Sequence, residues 1–150
     1  MKKLGILMLV CWIGGCLEKP DEITPYLQKV KPLEKYHKKL VQYRVYLQTE
    51  GMTTMANDLR QVIEDYKKDM ETVGVPEDKY LRAAHNNVMR SLDTALIKLV
   101  QPDFPTYVPS ARKQIDRISV KIRKHYLDPL EEEWEKAGKT DPFPLKWPEE

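Results

Sequence analysis

Between Pro25 and Gly138 the apolar residues recur at intervals of three and four, and nowhere do they alternate long enough to suggest a strand. An α-helix turns every 3.6 residues, so this spacing gathers them on one face, and each such segment must bury that face against another. Leu33, Tyr36, Leu40, Tyr43 and Leu47 form a first stripe, and Leu59, Val62, Ile63, Tyr66, Met70 and Val73 a second. Leu81, Ala84, Val88, Leu92, Ala95, Leu96 and Leu99 form a third, and Ile115, Ile118, Ile122, Tyr126, Leu130 and Trp134 a fourth.

Turn residues divide the stripes. Thr24 and Pro25 read as an N-cap and a first-turn proline, Pro32 as a kink or a delayed start, and Gly51 as the end of the first helix. Thr53 or Thr54 opens the second helix and Gly74 closes it. The short Gly74-Val75-Pro76 connection makes the third helix an antiparallel neighbour, running to Gln101-Pro102. A proline-rich loop over 102–109 follows, then Ser110 as N-cap, Pro129 as a kink and Gly138 as a stop. The expected fold is all-α, an antiparallel four-helix bundle over residues 25–138, with a three-helix bundle carrying an extended first helix as the alternative. Residues 139–150 hold three prolines and should be an extended tail.

A charged fraction of 32% beside 41% hydrophobic residues suits a folded helical domain rather than a disordered chain. The first sixteen residues stand apart. Met1-Lys2-Lys3 is basic, Leu4 to Ile13 is apolar, and Gly14-Gly15 precede Cys16. That sequence of zones reads as a signal peptide over 1–15, too short to span a bilayer, which takes about 20 apolar residues. Of the 25 basic residues, Lys2 and Lys3 lie in this leader, leaving 23 against 23 acidic ones. A neutral domain has no strong electrostatic drive towards nucleic acid, so nucleic acid is not expected as a partner.

The stretch Ile13-Gly14-Gly15-Cys16 resembles the lipobox of bacterial lipoproteins: an aliphatic residue, two small residues, then the cysteine that takes the lipid. The resemblance covers the leader alone. It implies a diacylglyceryl thioether on Cys16, cleavage before it and usually acylation of the new amino terminus. It also implies a place in the cell envelope, facing the periplasm or the exterior, with Leu17 favouring the outer membrane in a two-membrane host. Cys11 follows the bulky Val10 and competes poorly. Residues 16–24 are then a lipidated tether, and the mature domain keeps neither a free thiol nor a disulfide.

Chemistry is sparse elsewhere. Glu34-x-x-His37 matches half of a di-iron carboxylate site, but Arg82 and Ile122 stand where the other histidines would need a glutamate. Glu34 and His37 are therefore weak metal candidates, and no metal or other cofactor is expected. Haem could in principle use His37, His85 or His125 with Met55, Met70 or Met89, yet the covalent attachment motif is absent. No nucleophile elbow, zinc-protease motif or phosphate loop occurs, so an enzyme is not expected. Tyr36 and Tyr43 fall on the core stripe and Tyr46 to one side. The fourth helix has basic residues first (Arg112, Lys113, Arg117, Lys121, Arg123, Lys124) and acidic residues last (Glu131, Glu132, Glu133, Glu135), opposed to the helix dipole. Salt links to neighbouring helices or a partner of opposite polarity would account for it.

Phe104, Tyr107 and Val108 in the loop, with Phe143, Leu145 and Trp147 in the tail, set large apolar side chains among prolines. Such segments either lock onto a bundle or present an extended docking surface. Phe104, Tyr107, Phe143 and Trp147 are the candidate partner contacts. The expected function is that of a membrane-anchored binding or accessory subunit for another envelope protein or complex. A carrier of haem, metal or a small apolar ligand in the bundle core is the alternative.

Overall fold

A computed structural model describes residues 21–46, 53–99 and 108–148. The chain is an all-α helical bundle, and the described residues contain no strand. Its elements are α1 (Ile23–Val30), a 3-10 turn (Lys31–Leu33), α2 (Glu34–Tyr46), α3 (Thr53–Val73), α4 (Lys79–Leu99), α5 (Val108–Ile122), a π-helical turn (Arg123–Leu127) and α6 (Asp128–Lys136). The expected leader, Cys16, Leu47, Gly51, Phe104, Tyr107 and the end of the third helix at Gln101-Pro102 lie outside the described residues, as do the side chains of Tyr46 and Met55.

Two pairs of these elements are continuous rods. Pro32 does not break the first helix; it tightens one turn into a 3-10 bend between α1 and α2. The first rod packs against α3 and against the α5–α6 rod, and α4 packs against those same two, so each rod has two neighbours. Cross-links fix the directions. Asp21 meets Lys139 and Arg44 meets Asp116, early against late at both ends, so the first rod runs antiparallel to the α5–α6 rod; the short connection from Gly74 to Asp78 returns α4 antiparallel to α3.

Helix starts differ from the sequence reading at three places. α1 begins at Ile23, and Asp21 rather than Thr24 supplies the cap, accepting from the Thr24 N–H at 3.2 Å and its hydroxyl at 2.7 Å. α5 begins at Val108, which puts Ser110 inside the helix and not at its cap; Pro109 stands in the first turn, where a missing N–H has no partner to lose. At α4, Asp78 caps the Tyr80 and Leu81 N–H groups at 2.8 and 3.1 Å, a role the sequence reading passed over. Gly74 and Gly138 close their helices at φ of 79° and 69°, left-handed conformations that favour glycine.

The π turn has a geometric cause. Ile118, Ile122, Tyr126, Leu130 and Trp134 are each four residues apart. Four residues advance an α-helix by about 400°, so such a row would drift about 40° per step off the core. A π turn carries more residues per revolution and resets the row, and Leu130 ends fully buried. Pro129 is the second cause, since it cannot donate to the His125 carbonyl four residues earlier. The Asp128 N–H bonds instead to Arg123, five residues back, and Asn87 of α4 donates its side-chain amide to the His125 carbonyl at 3.3 Å. Sequence pointed to a kink here; the structure widens the helix without breaking it.

Candidate functional site

Where α1, α2, α3, α4 and the π turn meet, the core is polar and aromatic rather than aliphatic. Tyr26, Tyr36, His37, Tyr66, His85 and Tyr126 are all buried there. Helical spacing explains the histidines: His37 follows Leu33 by four residues and precedes Leu40 by three, and His85 stands likewise between Leu81 and Val88. Both therefore point inward with the stripe, a signal available in the sequence but overlooked because histidine was read as a ligand.

The contacts pair these groups with one another. His37 Nε2 lies 2.8 Å from the Tyr66 hydroxyl, and His85 Nδ1 lies 3.3 Å from that of Tyr26. Tyr36 stacks on Tyr66 with ring centres 4.9 Å apart and donates its hydroxyl to Asp69 at 2.6 Å. Lys35 joins the same carboxylate at 2.9 Å. Among the described residues His37 Nδ1 has no hydrogen-bond partner, nor does the Tyr126 hydroxyl meet hydrogen-bond geometry, although it interacts with that of Tyr26.

Burial sets the charge state. Loss of water pushes the His37 imidazolium down to about 4, against a smaller upward pull from Glu34. It lowers His85 too. Burial raises Tyr26 to about 12 and lifts Tyr66 and Tyr126 further. Every member is thus neutral near pH 7. Proton transfer is fastest from groups that titrate near the working pH, and these have been driven away from it on both sides. The arrangement suits a packed polar core better than an acid–base site.

The tail closes over this cluster. Phe143, Leu145 and Trp147 all turn onto the bundle, while Lys146 between the last two is exposed and the chain bends at Asp141 and Pro144. Leu145 is fully in the core, Phe143 and Trp147 are half-buried, and the Trp147 ring stacks on His37 with centres 4.9 Å apart. Prolines 142, 144 and 148 remove backbone donors. One that remains, Lys146 N–H, bonds to Glu34 Oε1 at 2.6 Å. Lys31 donates to the Pro144 carbonyl, Trp134 Nε1 donates to the Asp141 carbonyl at 2.8 Å, and Lys139 pairs with Asp21. That ion pair and hydrogen bond, with Thr24 second, draw the Asp21 carboxyl down to about 2. The segment is a strap, locked onto the bundle.

The metal and haem candidates can now be placed. Glu34 is engaged by Lys146 and by Lys31 at 2.8 Å, while His37 faces Tyr66 and Trp147, so the two side chains serve different partners. Among the described residues no group of three or more His, Cys, Asp or Glu side chains could hold a metal ion. His125 is exposed, Met70 is fully buried and Met89 half-buried. The structure brings His37 and Trp147 together, and sets Phe143 beside the core on the same strap. In comparisons with known proteins, no family model, no curated protein and no solved structure matches this chain.

Proposed function

We propose that the chain is a helical lipoprotein of a bacterial cell envelope, held to a membrane through lipid on Cys16, and that it acts as a binding or accessory subunit for another envelope protein or complex. The observation that carries the reading is Ile13-Gly14-Gly15-Cys16 following a basic and apolar leader, with α1 beginning at Ile23. The chain between Cys16 and Ile23 reaches at most about 25 Å, so a lipid there would keep the bundle close to the bilayer. Among the described residues no helix is long and apolar enough to cross a membrane.

Confinement to a surface raises the effective concentration of a domain towards its neighbours there, which favours a binding role. The neutral core of paired histidines and tyrosines also favours binding over catalysis. The carrier alternative draws less support, because rings of the chain itself lie against the buried histidines, Tyr66 and Trp147 on His37 and Tyr26 on His85, in the space a core ligand would take. Phe104 and Tyr107, with the parts of Phe143 and Trp147 left exposed by packing, are the proposed partner contacts.

A Cys16→Ala variant should lose fatty-acid labelling and move from the membrane to the soluble fraction; undiminished labelling would sink the anchor. Cross-linking in cells tests the binding role separately. Phe104→Ala with Tyr107→Ala should weaken the captured product while the melting temperature holds, and an unchanged product would reject those contacts.

A further inference from the structure

Among the described residues the opposed charge along the fourth rod is neutralised only in part: Glu132 and Glu133 pair with Lys136 of the same helix at 3.7 and 2.8 Å. Lys113, Arg117 and Lys121 are exposed, and none makes an ion pair with a described residue. The interhelical ion pair that α5 does make runs through its acid: Asp116 holds Arg44 at 2.6 Å. Beyond the π turn the sign reverses. Asp128, Glu131 and Glu135 are exposed and likewise unpaired among the described residues. Salt links among the described residues therefore account for Asp116, Glu132 and Glu133 and leave these six charges unexplained.

The π turn keeps both sets on one side. Because it holds the buried row from Ile115 to Leu130 in phase, the charged residues lie together along the opposite, outer side of a continuous rod from α5 to α6. The rod presents a basic half and an acidic half, with Val120 exposed within the basic half.

We infer that this face binds the same face of a second copy of the chain, the two rods running antiparallel about a two-fold axis near Lys124. An isologous contact brings each residue of one copy against a different one on the other. With the axis there, Lys113 lies opposite the partner's acidic end at Glu135, Arg117 opposite Glu131, and Lys121 opposite Asp128. All three pairings are of unlike charge, and symmetry makes each occur twice. Lys124, nearest the axis, meets its own copy but has Asp128 one turn away. A uniformly anionic surface, such as a bilayer or a nucleic acid, complements only the basic half and repels the acidic half beside it. A bipolar face is complemented by a bipolar partner, and the reversed copy is one by construction. The inference goes beyond the anchored binding role and does not depend on the lipid.

Carbodiimide treatment of the purified full chain tests it, because the reagent joins a lysine amine to a carboxylate already in contact. Lys113 and Glu135 are about 33 Å apart along one rod, so an amide between them can form only between two copies. We expect that cross-link, together with a doubled sedimentation mass at low salt that falls to one chain at high salt. Reversing the basic half (Lys113→Glu with Arg117→Glu) or the acidic half (Glu131→Lys with Glu135→Lys) should weaken association roughly tenfold or more. Combining all four reversals should restore it, since the face is again self-complementary. Absence of the Lys113–Glu135 amide with a single-chain mass at low salt would overturn the inference. So would failure of the combined variant to recover, which marks a fixed partner. So would loss of binding to phosphatidylglycerol vesicles by the basic-half variant of a chain that stays monomeric, which marks a membrane surface.

Discussion

Two long surfaces of this bundle treat charge in opposite ways. On the strap side, from Asp21 through α1 and α2 to Trp147, charged groups are bound to another element: Asp21 to Lys139, Lys31 to the Pro144 carbonyl, Glu34 to the Lys146 N–H. On the outer side of α5, Lys113, Arg117 and Lys121 stand in solvent with no ion-pair partner among the described residues. Exposed ion pairs are worth little singly, about 0–1 kcal/mol, so the strap is held mainly by what its polar contacts align, namely Leu145 in the core and Trp147 on His37. The lesson is one of division: one side spends its polar groups on folding, and the other keeps them free for contact with something else.

The largest way to break this contrast is to empty the strap's anchor. Leu145→Ala should lower unfolding free energy by about 2–4 kcal/mol in urea denaturation, as expected for a buried leucine that leaves a cavity. A loss below about 1 kcal/mol would mean the strap is not a structural element. Acid should act on the same side. The unfolded His37 titrates near 6.5 and the folded one near 4, so the unfolded state binds more protons between those values. Stability is then complete above about pH 6.5 and falls as the pH drops towards 4, by on the order of 3 kcal/mol, with His85 adding in the same direction. His37→Gln should flatten that slope; a wild-type profile flat from pH 7 to 4.5 would contradict the burial argument.

A smaller effect is expected where the two sides join. Asn87→Ala removes the donor to the His125 carbonyl and should cost about 1 kcal/mol, read as a shift in the urea midpoint. Equal stability of that variant would show that water replaces the amide fully. The smallest effect is predicted on the free side. At high salt, where the proposed pairing of copies is screened, Lys113→Gln and Arg117→Gln should change unfolding free energy by less than about 0.5 kcal/mol, because their side chains are exposed and make no ion pair with a described residue. A substantial loss would mean that these residues serve the fold, and the contrast between the two surfaces would fail.

The sequence made the rods and their inward faces legible because helical spacing is local: Leu40, Ile63, Val88, Ile115 and Ile122, read as stripe residues, are all fully buried. It also marked the apolar tail residues. It did not show that Leu145 would enter the core, because its neighbours Pro144, Lys146 and Trp147 are held by Lys31, Glu34 and His37, more than a hundred residues earlier. The π turn was hidden for a similar reason. Pro129 announces a disturbed helix, but whether it bends or widens depends on Asn87, a donor on another helix. His37 and His85 were missed for a different cause, since composition makes histidine look like a ligand while its position on the stripe makes it core.

The π turn has one more consequence, for how this chain tolerates insertions and deletions. A widened turn is in effect one extra residue lodged in an α-helix, and the downstream segment is phased to that addition. Deleting a single residue within 123–127 would let the turn close to a regular helix with everything beyond it near its present phase. Inserting one more, in a turn already widened, would rotate everything beyond it by about 100°. Leu130 would then leave the core, and Trp134, with the Asp141 carbonyl it holds, would swing away and carry the strap off His37. The same insertion would turn the acidic half of the rod away from the basic half. Length in those five residues is therefore a shared constraint, linking the closed side of the molecule to the open one.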